Sequence, residues 1–144
     1  MQFQHNDGGR KDAGFTGKIQ PGDCVCRAIA IATGKPYRKV YDEINSRAKA
    51  GRKGSRKSRS TARNGAFKEV YKPLLEEWGW KWVATMQIGQ GCKVHLREDE
   101  LPNATIICRV SKHLTCVKDG VIHDTHDCSR GGTRCVYGYF IKDE

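Results

Sequence analysis

The sequence predicts an α+β fold in which helices come first and a mostly antiparallel sheet follows. Three observations carry this. Residues 24–78 place apolar side chains at helical spacing, punctuated by Gly34, Pro36 and a polar basic stretch. After Gly79 the period changes to two, in short runs rich in Val, Ile, Thr and aromatic residues. Two of those runs are joined by Asp119-Gly120, a strong two-residue hairpin signal.

The elements follow in order. Residues 1–22 are rich in Gly, Asp, Asn and Lys and end at Pro21-Gly22-Asp23, so they read as an irregular arm with a short strand at Gln2–Gln4. Asp23 is placed to cap a helix over Cys24–Thr33 that Gly34 closes. This helix is apolar nearly all round and should sit deep in the fold. Pro36 opens a second helix, through about Lys49, with Tyr37, Val40, Tyr41 and Ile44 on one face. Asn64 is a candidate cap for a third, Gly65–Trp78, that turns Phe67, Val70, Tyr71, Leu74 and Leu75 inward. Pro73 makes an irregularity there, and Gly79 ends the helix. Strands are expected at Trp80–Ala84, Lys93–Leu96, Thr105–Val110, His113–Lys118, Val121–Asp124 and Cys135–Ile141. Trp78, Trp80 and Trp82 read as core residues.

A chain of 144 residues suits one domain, 1–144, and buries a core without staples. No stretch approaches the ~20 apolar residues of a membrane span. Residues 1–10 lack the apolar region of a signal peptide, so a soluble, cytoplasmic protein is expected. Seven cysteines, an odd number scattered through helices and strands, point to reduced thiols. The net charge of +10 is concentrated between residues 46 and 63, a segment with eight basic residues and no acid. Without it, 18 basic residues face 16 acidic ones and the net charge falls to +2. Gly51, Gly54 and the repeated Ser and Arg make 46–63 a flexible basic loop.

The hairpin yields a geometric argument. With Asp119-Gly120 as the loop, Lys118 pairs with Val121, Val117 with Ile122, Cys116 with His123 and Thr115 with Asp124. Side chains alternate between faces, so His113, Thr115 and Val117 share a face with Ile122 and Asp124. His113 and Asp124 become diagonal neighbours, within roughly 7 Å between backbones. A carboxylate so placed orients an imidazole, and an imidazole activates a thiol.

Cys24 supplies the thiol. It sits in the first turn of its helix, where backbone N–H groups and the helix dipole favour a thiolate. Arg27, one turn on, adds positive potential on a similar face. Cys26, two residues along, is the alternative nucleophile.

Cysteine at the start of a buried helix, with His and then Asp on later strands, resembles the papain-like superfamily in its chain order. Gly22-Asp-Cys-Val-Cys-Arg-Ala-Ile-Ala-Ile-Ala-Thr-Gly34 with Tyr37, Ser111-Lys-His113 and Asp119-Gly-Val-Ile-His-Asp124 are similar to a group of small phage and bacterial proteins. The likeness runs from Asn6-Asp-Gly-Gly-Arg10 to Tyr137-Gly-Tyr139. It implies a papain-like domain, peptidase- or transglutaminase-like, located in a host cytoplasm if phage-encoded. Papain-like folds also include acetyltransferases and deubiquitinase-type enzymes, so the fold leaves the reaction open. Papain-type enzymes take an oxyanion donor from a glutamine six residues before the nucleophile. Here Gln20 is six before Cys26 but four before Cys24. With Cys24 as nucleophile, the donors are its own N–H and a side chain of the arm such as Asn6.

Two functions follow. One is a cysteine hydrolase or acyltransferase that uses Cys24, His113 and Asp124 on a peptide or isopeptide, without cofactor or metal. The other is a binding module for nucleic acid or an acidic host protein, with contacts from Arg52, Lys53, Arg56, Lys57 and Arg59. That segment carries no aromatic for base stacking, so its nucleic-acid binding would be nonspecific and salt-sensitive. Zinc is disfavoured, because no paired C-x-x-C knuckle is present and His113 and Cys116 lie on opposite faces of a strand. His126 with Cys128 is the remaining Cys/His pair of interest.

Overall fold

A computed structural model describes residues 1–15, 23–51, 68–87 and 89–142. Their order is β1 (Gln2–His5), α1 (Cys24–Thr33), α2 (Tyr37–Gly51), α3 (Lys68–Glu77), β2 (Trp80–Ala84), a 3₁₀ turn (Glu98–Glu100), β3 (Thr105–Val110), β4 (His113–Lys118), β5 (Val121–Asp124) and β6 (Gly138–Lys142). The six strands form one sheet in the order β1-β5-β4-β3-β6-β2. Only β1 and β5 run parallel, so the expected α+β class with a mostly antiparallel sheet holds.

The central hairpin has the register read from its turn. Lys118 pairs with Val121, Val117 with Ile122 and Cys116 with His123. Asp119 and Gly120 both take positive φ, 48° and 82°, which is the twist-matched turn that Asp-Gly favours. Helix α1 is as deep as its composition requires, with every residue from Val25 to Ile31 buried. Gly34 adopts the left-handed conformation at φ 72° and returns its N–H to Ala30 at 3.0 Å.

Strand alternation divides the core in two. Ile107, Leu114 and Phe140 face the helices and pack with Ile29, Val40, Ile44, Tyr71, Leu74 and Leu75. Ile106, Cys108, Val110, Val117 and Ile122 face the other way, under Leu96, Cys128 and Val136 from the loops. Each large side chain so buried contributes about 1.5–3 kcal/mol. Trp80 is buried, and Trp78 and Trp82 are packed against the helical core.

Several expectations need correction. Lys93–Leu96 forms no strand; it makes one bridge, His95 to Cys135, before the chain turns into Glu98–Glu100. The last strand begins at Gly138, not Cys135. Helix α2 continues to Gly51, so the basic segment starts inside a helix. Its last turns are held by buried Ile44 and Ala48 and by Arg47, which pairs with Glu43 and with Glu77 of α3. The remainder, 52–63, with Arg52, Lys53, Arg56, Lys57 and Arg59, lies outside the described residues, as do Gln20, Asn64 and Phe67. The seven thiols are not all reduced. Cys92 and Cys135 form a disulfide with Cα atoms 5.9 Å apart, and Cys24, Cys26, Cys108, Cys116 and Cys128 are free. Among the described residues, no helix is long and apolar enough to cross a membrane.

Gly138 opens β6 where no side chain fits. A Cβ there would lie 2.3 Å from the tip of the Trp82 ring and 2.8 Å from the Val83 carbonyl oxygen. Gly138→Ala is therefore expected to destabilise the protein by about 1–3 kcal/mol, read as a lower urea midpoint with unchanged m-value.

Candidate active site

The site is assembled around the Asp124 carboxylate at the end of β5. Its Oδ2 accepts from His113 Nε2 at 2.7 Å and from Thr115 Oγ1 at 2.7 Å. Cys128 Sγ, which returns on the following loop, approaches the same oxygen at 3.8 Å. Its Oδ1 accepts from the Thr125 N–H at 2.7 Å and from Arg27 Nη2 at 3.2 Å. Asp124 is 3% exposed, so these donors replace its water. The face argument thus places Thr115, His113 and Asp124 together, as the pairing of Cys116 with His123 requires.

His113 gives Nε2 to Asp124, which leaves Nδ1 free to serve the half-buried Cys24, a group coupled to the ring in charge. The Leu114 N–H also favours the charged form of that sulfur. Burial pushes the Cys24 thiol up, but the His113 imidazolium, the Leu114 N–H and the Arg27 charge outweigh it and hold the thiol below its ordinary value. For His113, burial favours the neutral ring. The bond to Asp124, with the neighbouring Cys128 and Cys24 thiols, overcomes that and lifts its pKa to about 11. Burial alone would raise the Asp124 carboxyl. His113, Thr115 and the Thr125 N–H instead hold it well below the carboxylate range.

The structure separates the two candidate nucleophiles. Cys26 is fully buried, points its thiol to the Tyr37 carbonyl, and is pushed by burial to about 12. Such a thiol is inert at neutral pH. Among the described residues Cys24 is the cysteine that combines partial exposure with a lowered pKa. Cys24, Val25 and Cys26 also present their N–H groups ahead of the first intrahelical bond, Arg27 N–H to Asp23 C=O at 3.0 Å.

Asp23 behaves differently from the expected cap. It occupies the cap position, but its side chain makes no capping bond. The carboxylate is fully buried and accepts from Arg10 Nη1 at 2.9 Å, from the Tyr37 hydroxyl at 2.6 Å and from Arg27 Nη1. Asn6 is not turned to Cys24 either. Its Oδ1 accepts the Gly8 N–H at 2.9 Å and its amide lies 3.4 Å from His123 Nδ1, while its own N–H bonds to the Asp124 carbonyl at 2.8 Å. Asn6 therefore builds the wall of the site and does not line its mouth.

His126 and Cys128 complete the surroundings. The His126 ring lies 5.2 Å from the His113 ring, centroid to centroid. His113, Asp124 and Cys128 offer ligand atoms within 4.8 Å of one another, the chemistry of a zinc set. Yet Nε2 and Oδ2 stand 2.7 Å apart, whereas two ligands at about 2.1 Å on a tetrahedral ion are separated by roughly 3.4 Å. The pair is spaced for a proton, and a zinc ion would have to part it. Cys92, three residues before His95 in the sequence, is taken by its disulfide to Cys135. Arg27 and Cys128 are the contributors that the sequence did not assign to Asp124. The i+3 offset from Cys24 was visible for Arg27, but nothing local announces that the 125–128 loop folds back. No family model, curated protein or solved structure matches the chain.

The pair sets a pH window. Asp124 is depressed, so its contribution to stability is complete above its unfolded value of ~3.9 and fades as pH falls. His113 is raised, so its contribution is complete below ~6.5 and is lost as pH rises toward about 11. Urea unfolding of Asp124→Asn against wild type should show a gap of about 3 kcal/mol that is widest near pH 5 and narrows in both directions.

Proposed function

We propose that this protein is a papain-like cysteine hydrolase or acyltransferase in which Cys24 is the nucleophile, His113 the acid–base group and Asp124 its orienting carboxylate. The observation that carries the reading is the partly buried Cys24 thiol, held below its ordinary pKa by an imidazole that is itself bonded to a buried carboxylate at 2.7 Å. The chain order Cys, His, Asp and the packing of N-terminal helices on a mostly antiparallel sheet support the papain-like assignment.

The chemistry follows from the charges. The Cys24 thiolate adds to a carbonyl carbon, forming a C–S bond and an oxyanion. The oxyanion is met by the Cys24 N–H at the positive end of α1. His113 passes its proton to the leaving nitrogen, the C–N bond breaks, and an acyl thioester remains. His113, now neutral, takes a proton from water or an acceptor amine, which displaces the sulfur and restores the thiolate. A peptide or isopeptide is the substrate class. The second reading, a nucleic-acid or acidic-protein binding module, rests on the eight basic residues of 46–63 and needs no thiol.

Iodoacetamide labelling mapped by mass spectrometry tests the pair. Cys24 is expected to react at about pH 6, at least tenfold faster than a free thiol of pKa ~8.5, with Cys26 protected. His113→Ala should return Cys24 to an ordinary thiol titration. With p-nitrophenyl acetate, a burst of nitrophenolate and an acetyl adduct on Cys24 are expected. An ordinary thiol titration in wild type and no adduct would sink the enzyme reading and leave the binding module, whose function would survive Cys24→Ala.

A further inference from the structure

We infer that Arg27 is a positioning residue that ties the helix carrying the nucleophile to β5, the strand carrying the carboxylate that orients His113. The inference rests on the Cys24–His113 reading and adds what holds that pair in register.

A guanidinium is out of place on α1. The helix is otherwise apolar nearly all round, and Arg27 is 5% exposed. Burying such a charge is costly unless it is paired. Arg27 has two partners, and they come from different parts of the fold. Nη1 bonds to Asp23, directly before α1, and Nη2 bonds to Asp124, at the end of β5. Its Nε has no partner among the described residues, so both of its hydrogen-bonded contacts run through the two Nη groups.

The division of labour on Asp124 explains the consequence. Oδ1 is held by Arg27 and the Thr125 N–H; Oδ2 is thereby aimed at His113 and Thr115. The planar guanidinium holds one carboxylate on each Nη at a fixed separation, which a point charge does not. The other end of the fork is fixed as well, because Asp23 is also held by Arg10 from the arm and Tyr37 from α2. Cys24 lies between the two anchors in sequence and close to Arg27 in charge. The groups facing this cluster are therefore Arg10 from the arm, Asp23, Cys24 and Arg27 at α1, Tyr37 at α2, His113 and Thr115 on β4, Asp124 on β5, and Cys128 from the loop. The fork connects the nucleophile's helix to the base's orienter in one side chain.

The test is the pH–rate profile of Cys24 alkylation in Arg27→Gln and Arg27→Lys, with Cys26 labelling and urea unfolding measured on the same samples. In Arg27→Gln the Cys24 rate near pH 6 should fall about tenfold or more, the equivalent of a pKa unit, while Cys26 stays protected. Arg27→Lys, which keeps the charge but loses the fork, should recover only part of the rate. A merely structural arginine gives the opposite pattern: Cys26 becomes labelled as the fold loosens, and Cys24 loses no rate relative to it. A folded Arg27→Gln with the wild-type profile overturns the proposal. Should Arg27→Gln fail to fold, a wild-type profile in Arg27→Lys overturns it. An ordinary Cys24 titration in wild type removes the underlying pair, and that failure is read before any Arg27 variant is made.

Discussion

The buried carboxylate of Asp124 is the joint on which the arrangement depends. It is reached by the imidazole of His113, the hydroxyl of Thr115, the thiol of Cys128, the backbone of Thr125 and the guanidinium of Arg27. An ionised carboxylate this deep survives only because each oxygen is matched by donors. The same matching keeps it charged. A carboxylate that stays charged favours the protonated His113, and a protonated His113 holds the Cys24 thiol below its ordinary value. The electrostatics of the site are thus set by hydrogen bonds beneath its surface.

The fold places these groups with few parts. Helix α1 brings Cys24 because Gly34 ends it and its apolar body sinks against β4. The tight turn at Asp119-Gly120 sets the relation of His113 to Asp124, since one residue of slippage would move them to opposite faces. The arm closes the set by sending Arg10 to Asp23 and β1 to β5. Buried charges of this kind add less to net stability than to uniqueness of arrangement, because every wrong pairing would leave one of them unmatched.

What could be read in advance follows from range. The hairpin register was legible because it depends on two adjacent turn residues and a period of two. The limits of α1 were legible because Gly34 marks its end. Cys24 over Cys26 was a preference from position alone, and burial of Cys26 now gives it a physical reason. Other features depend on where distant segments land. Nothing near Cys92 names Cys135, 43 residues away, as its partner. Nothing near Asp23 says that Arg10 and Tyr37 will draw its side chain off the helix end. Lys93–Leu96 has the alternation of a strand but meets too little backbone to pair beyond one bridge. The partner of β1 was equally hidden, because a parallel neighbour needs no turn between the two strands.

That parallel strand bears on how the protein comes into being. β1 lies beside β5 in register, His5 against Asp124, and Asn6 bonds to the Asp124 backbone. The opening residues of the chain must therefore wait for a strand more than a hundred residues later before they find their place. Contacts of such long sequence separation form late and slowly. A nascent chain that has already exposed Cys24 still lacks His113, Asp124 and the wall that encloses them. His113 and the Leu114 N–H, which help hold the Cys24 thiol below its ordinary value, therefore join it only after β4 has been made, and the carboxylate that orients His113 only after β5.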